Sequence, residues 1–349
     1  MTLTHHDRTA LLRTGRWSVR YGVRALLVCA ALAVLAACAT VLAVGTGTYA
    51  LTPLDVLRTF TGDGPPGAGF VLMDLRLPRA LVALLVGFGT GVAGAVFQSL
   101  TRNPLGSPDI TGFGNGASAG ALVAIILFDA GDPQTAAGAV CGGLATAAAV
   151  YLLAWKRGVH GYRLVLVGIG ASAVLGSATS FLYVRADIGK AAQAASWMIG
   201  SLNARDWGDV RIAALGPLLF LPVVLVYARR LALLEMGDDT AAALGVPPER
   251  TRLVLLCAGT GLTALAVAAA GPIPFVALAA PQIARRVTRA TGPHLLPAGW
   301  TGALLVALAD LATQRITGSA LLPVGVVTGV TGGLYLAWLL RGERAGGRL

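Results

Sequence analysis

Residues 80–100 read ALVALLVGFGTGVAGAVFQSL. No Asp, Glu, Lys or Arg interrupts them, and about 20 mainly apolar residues are enough for one helix to cross a bilayer. Within the stretch, Gly89-Thr90-Gly91-Val92-Ala93-Gly94 matches G-x-G-x-x-G. No strand precedes this match and apolar residues flank it, so the context of a dinucleotide-binding loop is missing. Gly87, Gly91 and Gly94 instead form a small-residue face on which another helix can pack closely.

Working outward, similar runs occupy 24–44, 114–128, 135–155, 164–184, 211–228, 253–271, 274–290, 297–315 and 322–340. The third run along the chain, 114–128, is short and begins in Gly-rich sequence. The first follows Arg13, Arg16, Arg20 and Arg24 and contains Leu35-Ala36-Ala37-Cys38, which resembles a lipoprotein cleavage box. Its apolar run continues to Val44, beyond the ~7–15 residues of a signal segment, so it reads as a retained span. The 349 residues are 56% hydrophobic and 12% charged, with 46 glycines; mean hydropathy is +0.73. Soluble domains carry about 25% charge. The expected fold is therefore all-α: a polytopic membrane protein of about ten spans. A tail at 1–23, one transmembrane domain at 24–340 and a tail at 341–349 complete the division.

The net charge of +11 would suggest nucleic acid in a soluble protein. Here the arginines fall between apolar runs, and the bilayer explains them better. With the N-terminus placed inside, 19 of the 27 Lys and Arg fall in inner segments and 8 in outer ones, against 7 and 9 carboxylates. This positive-inside bias predicts a cytoplasmic-membrane protein with both termini cytoplasmic. No nucleic-acid partner is expected.

Catalytic and metal chemistry find little support. Cys29, Cys38, Cys141 and Cys257 stand singly in apolar runs, where they read as small hydrophobes. His5 and His6 lie in the tail, His160 and His294 in loops. No G-x-x-x-x-G-K-[ST] occurs, so the chain has no phosphate loop of its own and no cofactor is expected. Asp310 is the only carboxylate within an expected span; it either lines a path or pairs locally, with Arg315 as the nearby candidate. Intramembrane polar groups are otherwise few, Gln98 and Gln282 among them. That scarcity counts against an ion-coupled carrier. Between spans, Pro53–Phe60 reads as a short helix, Ala191–Leu202 as an amphipathic stretch, and 229–252 as the largest inner loop. Within that loop Asp238 and Asp239 precede a short helical pattern ended by Gly245 and Pro247, which reads as a capped helix.

Seven ordered blocks resemble the FecCD-type permeases, the membrane subunits of iron-siderophore and cobalamin importers driven by ATP-binding cassettes. They are Arg76-Leu77-Pro78-Arg79; Gln98 with Arg102-Asn103-Pro104-Leu105-Gly106-Ser107-Pro108; Trp197-Met198-Ile199-Gly200-Ser201-Leu202; and Gly237 to Val246. The remaining three are Gly271-Pro272-Ile273-Pro274-Phe275-Val276 with Pro281 and Arg285; Leu295-Leu296-Pro297 with Ala309-Asp310; and Leu322-Pro323-Val324-Gly325-Val326-Val327-Thr328. The match covers roughly 50–340. Within the family, 197–209 is most similar to ferric-enterobactin-type subunits.

The resemblance implies the type II importer architecture with ten spans per subunit. It implies two permease subunits, non-identical or identical, around a central path, with separate ATPases and an extracytoplasmic substrate-binding lipoprotein. The cargo would be a ferric siderophore, with cobalamin or haem as the alternative; an ion-coupled transporter is the reading from another class. Gly237, Asp238, Asp239, Ala241, Leu244, Gly245 and Val246 would couple to the ATPase. Arg76, Arg79 and Arg315 would dock the binding protein. Gln98, Asn103, Pro104, Trp197, Gly271, Pro272, Pro281, Gln282 and Asp310 would line or shape the path. The chain departs from the family pattern at Gln282 (usually His), Gln314 (commonly Arg), Leu321 (often Glu) and Leu334 (commonly Pro).

Overall fold

The computed structural model describes residues 9–14, 17–47, 49, 51–156, 161–316 and 322–345. Leu321, His5, His6 and His160 lie outside the described residues. After an antiparallel ribbon of β1 (Thr9–Thr14) and β2 (Trp17–Gly22), every regular element among the described residues is helical. The ribbon lies within the expected tail at 1–23, outside the all-α transmembrane domain.

Seven helical stretches are long and apolar enough to cross a membrane. They are α1 (Val23–Gly45), the stretch Ala68–Thr101, α6 (Asp132–Ala154), α7 (Gly161–Arg185), α9 (Trp207–Glu235), α11 (Pro248–Ala270) and α13 (Leu295–Ile316). The Ala68–Thr101 stretch comprises α3 (Ala68–Phe70), a π-turn (Val71–Arg76) and α4 (Leu77–Thr101). Three expected spans are shorter or less apolar as helices: α5 (Phe113–Phe128), α12 (Val276–Thr288) and α14 (Val324–Ala345). Off the spans lie α2 (Pro53–Thr61), α8 (Ile188–Met198) and α10 (Asp238–Ala243). The first is fixed by Pro53 and a reciprocal Thr52–Asp55 capping box.

Burial sorts the helices into two classes. In α4 and α11, 78% of the apolar window is buried, against 17% in α7 and α9. Between α11 and α13 lies α4, which packs on both, and the exposed helices present their apolar faces outward. Glycines set the central spacing. A Cβ at Gly87 would overlap the Gly302 carbonyl, and one at Gly91 the Ala298 carbonyl, so α4 and α13 meet backbone to backbone. Gly116, Gly120, Gly138 and Gly142 make the same kind of seam between α5 and α6.

The shortness of α5 and α12 has a local cause in each case. Sixteen residues of α5 reach only about 24 Å. The preceding segment 102–112 folds back into the bundle: Gly168, seven residues into α7, sits against the Thr111 backbone, and Asp109 lies beside Val86 and Thr263, mid-way along α4 and α11. For α12, Pro272, Pro274, and positive φ at Gly271 (72°) and Phe275 (66°) prevent helix before Val276. The expected span 274–290 is thus a 13-residue helix preceded by extended chain. Such irregular backbone is tolerated at depth because protein, not lipid, covers it.

Candidate translocation and coupling sites

At the end of the bundle opposite α10, an ion pair joins α4 to α13. Arg79 Nε and Nη2 donate to Asp310 Oδ1 at 2.9 and 2.7 Å. Gln314 Nε2 donates to Asp310 Oδ2 at 2.8 Å, and Thr46 Oγ1 donates to Gln314 Oε1 at 2.8 Å, bringing in the end of α1. The carboxylate is almost wholly buried, with both oxygens occupied. The partner of Asp310 is therefore Arg79 on another helix, not Arg315, which is exposed. Arg76 donates from Nη1 to the Val44 carbonyl (2.7 Å) and from Nη2 to the Tyr49 carbonyl (2.6 Å). Arg76 and Arg79, expected to dock a partner, thus both spend their guanidinium groups inside the chain. A cavity of about 610 Å³ opens beside them, with Arg205 and Asp206 on its far wall.

Deeper in, three motif blocks meet. Trp197 lies in the last turn of α8, and a Cβ at Gly271 would overlap its carbonyl. Gly200 (φ 69°) closes on the Pro272 carbonyl, and Gly325 on the Ile199 carbonyl. Ser201 N–H donates to the Ala270 carbonyl and Gly325 N–H to the Gly200 carbonyl, both about 3 Å, so the extended backbone is hydrogen-bonded where it leaves the helices. Pro272, Pro274, Ile199 and Gly325 then face Asn115 and Ser118 of α5 across a cavity of about 360 Å³. Trp197, Gly271 and Pro272 therefore belong to one junction.

Gln98, Asn103, Pro104 and Gln282 form another. The Gln98 amide donates to the Leu278 carbonyl (3.0 Å). Gln282 Nε2 uses its two hydrogens on Gln98 Oε1 (3.2 Å) and the Pro104 carbonyl (2.9 Å). Asn103 Oδ1 accepts from Leu105 N–H, fixing the turn that starts the re-entrant segment. Pro281, four residues after Ala277, cannot donate to its carbonyl. That carbonyl packs directly on Gly94 of α4, where a Cβ would overlap it. The Gln282 departure thus keeps a two-armed donor tying α12 to α4 and to the segment leaving it. Asp109 is a residue that sequence reasoning missed. It falls between the expected spans 80–100 and 114–128, and the shortness of 114–128 is the one feature of the sequence that bears on it.

The 235–250 loop contains a helix as expected, but its caps differ. Gly237 (φ 118°) precedes α10 with no side-chain cap, and Asp238 and Asp239 are its first helical residues. Asp238 accepts from Arg252 Nη2 (3.0 and 2.9 Å). Ala241 and Val246 face the core among Leu231, Leu234 and Leu255. Of the expected coupling residues, only Asp239, Leu244 and Gly245 face outward. Met236 and Leu244 project from this surface, 67% and 60% exposed; Met236 was not anticipated.

A family model described as the FecCD transport family matches residues 31–342. The chain belongs to the FecCD family. Among curated relatives, the ferric enterobactin transport system permease protein FepG of Escherichia coli (strain K12) is 44% identical over 317 residues, 91% of this chain and 96% of FepG. The probable siderophore transport system permease protein YfhA of Bacillus subtilis (strain 168) is 36% identical, covering 92% and 98% of the two chains. Among solved structures, an inward-facing conformation of a metal-chelate type ABC transporter superposes with a TM-score of 0.82 at 28% identity, covering 91% and 99%.

As a FecCD family member the chain is a multi-pass membrane permease rather than an enzyme, and such permeases work with ATPase and second permease subunits. The junctions at Trp197–Gly271–Gly325 and Gln98–Gln282–Pro104 bring together family blocks that sit far apart in sequence. Each requires one block's glycine or amide against another block's backbone.

Proposed function

We infer that this chain is the permease subunit of an ATP-driven importer of ferric siderophores, forming half of a translocation path. Ten crossings within one domain at 24–340, with cytoplasmic tails at 1–23 and 341–349, fit the ten helices and the arginine distribution. The shorter α5 and α12, each with the folded-back or extended chain before it, and α14 complete the count. The type II importer architecture is what the resemblance to the FecCD permeases implies for it. The iron-siderophore names of the similar permeases point to the cargo.

The observation that carries the reading is α10. A short helix at one end of the bundle is held by a buried alanine and an ion pair, while Met236 and Leu244 project uncovered from the same surface. Two exposed large apolar side chains flanking one short helix give that surface an apolar character a partner can cover, and an ATPase groove is the partner this chain needs because it has no phosphate loop. ATP-driven closure of that partner would move α10 and, through it, α9 and α11. A binding protein delivers the chelate at the opposite end. There Arg315 is an exposed cation available to it, and the Arg79–Asp310 pair holds the helices that frame its seat.

Leu244→Glu should release the ATPase from the purified complex and abolish ATP-dependent uptake of a ferric siderophore in reconstituted vesicles. Retained ATPase with full uptake would sink the reading.

A further inference from the structure

We propose that Arg252 is the positioning residue that makes α10 and α11 move as one body, so that force on the exposed helix enters the buried centre of the bundle. The proposal rests on α10 being the ATPase contact and adds how that contact is wired inward.

A six-residue helix is too short to hold its own direction. α10 is also flanked by Gly237 (φ 118°) and Gly245 (φ 79°), and nothing lies within 4 Å of a Cβ placed at Gly245. Two such glycines are free to act as hinges. Ala241 anchors the helix by one methyl group, which sets its depth but not its tilt. A second, directional tie is needed.

Arg252 supplies it. Its residue is 2% exposed, the largest fully buried side chain among the described residues. Nη2 donates to both carboxylate oxygens of Asp238, at 3.0 and 2.9 Å, and Nη1 donates to Glu249 Oε1 at 3.1 Å. The planar guanidinium fixes angle as well as distance, which an ammonium cannot do. Arg102, at the end of α4, approaches Asp238 more loosely, at 3.5 Å and with both side chains partly exposed. The tight member of the cluster is therefore the one rooted in α11, whose apolar window is as deeply buried as that of α4.

The assembled complex of permease, ATPase and binding protein, in lipid nanodiscs or vesicles, provides the test. With Arg252→Gln the ATPase should stay bound, while chelate transported per ATP hydrolysed falls roughly 5–150-fold, the usual range for coupling between sites. Arg252→Lys, which keeps charge but not the fork, should fall between. Unchanged transport per ATP in Arg252→Gln overturns the proposal. If Arg252→Gln fails to assemble, Arg252→Lys decides: assembly with transport per ATP below wild type supports the tie, and unchanged transport per ATP, or no assembly, overturns it. Should Leu244→Glu leave the ATPase bound, the reading of α10 itself falls, a result distinct from any of these.

Discussion

The two ends of α4 carry the same kind of bond put to different uses. At one end Arg79 meets Asp310, a carboxylate 2% exposed with Gln314 on its other oxygen. At the other, Arg102 approaches Asp238 at 3.5 Å, with side chains 42% and 30% exposed. The first joins two long helices that already touch backbone to backbone through Gly87 and Gly91. The second reaches a short helix bounded by glycines. One end of the molecule is built to stay closed on itself, and the other is built around a part that can tilt. A carboxylate with both oxygens satisfied inside the bundle has nothing left for a partner, whereas the α10 surface keeps Met236 and Leu244 uncovered.

The largest effect expected from this contrast is at the closed end. Asp310→Ala leaves Arg79 without its carboxylate and Gln314 without its acceptor. Removing one partner of a buried pair costs about 3–5 kcal/mol, lowered somewhat here because Arg79 is 20% exposed. Thermal unfolding of the detergent-purified protein should show a drop of several degrees or loss of folded material. A variant as stable as wild type would mean that the helix seam alone closes this end.

The matching change at the α10 end should be far milder. Arg102→Gln removes a partly exposed, long ion pair, and such pairs contribute about 0–1 kcal/mol. Asp238 keeps its two bonds from Arg252. Thermal stability should therefore move little, with ATPase retention unaffected. If Arg102→Gln destabilises as much as Asp310→Ala, the contrast between the two ends is wrong.

How much of this was readable beforehand differs between the ends for a physical reason. Hydropathy marks spans because every crossing must be apolar, so all ten apolar runs correspond to helices. It does not mark depth: Asp109 sits in a polar-looking connector, yet Gly112 and Gly168 let that connector fold back between α4 and α7. Likewise Arg76 and Arg79 look like free surface cations in sequence, because their acceptors are two backbone carbonyls and an aspartate 231 residues away. The position of α10 was legible, since a Gly-bounded polar pattern between two long apolar runs has few other meanings. Its orientation was not, because nothing local says that Asp238 faces Arg252 while Leu244 faces out.

The smallest effect separates the ends by pH. The cavity at the Arg79 end has no histidine among its lining residues. Near the α10 end, His294 sits 3.2 Å from Thr288 Oγ1 in the turn between α12 and α13. Burial holds its pKa below the ordinary 6.5, and Arg285 adds to the same direction, while a bond to the Ala290 backbone opposes it. A depressed folded pKa means that the folded state favours neutral imidazole. Its contribution to stability is complete above about pH 6.5 and is lost as pH falls through the lower folded value. His294→Gln should therefore narrow the loss of thermal stability between about pH 6.5 and pH 5, and leave stability at pH 8 nearly unchanged. An identical pH profile in wild type and variant would show that the turn tolerates the charge, and that pH does not distinguish the two ends.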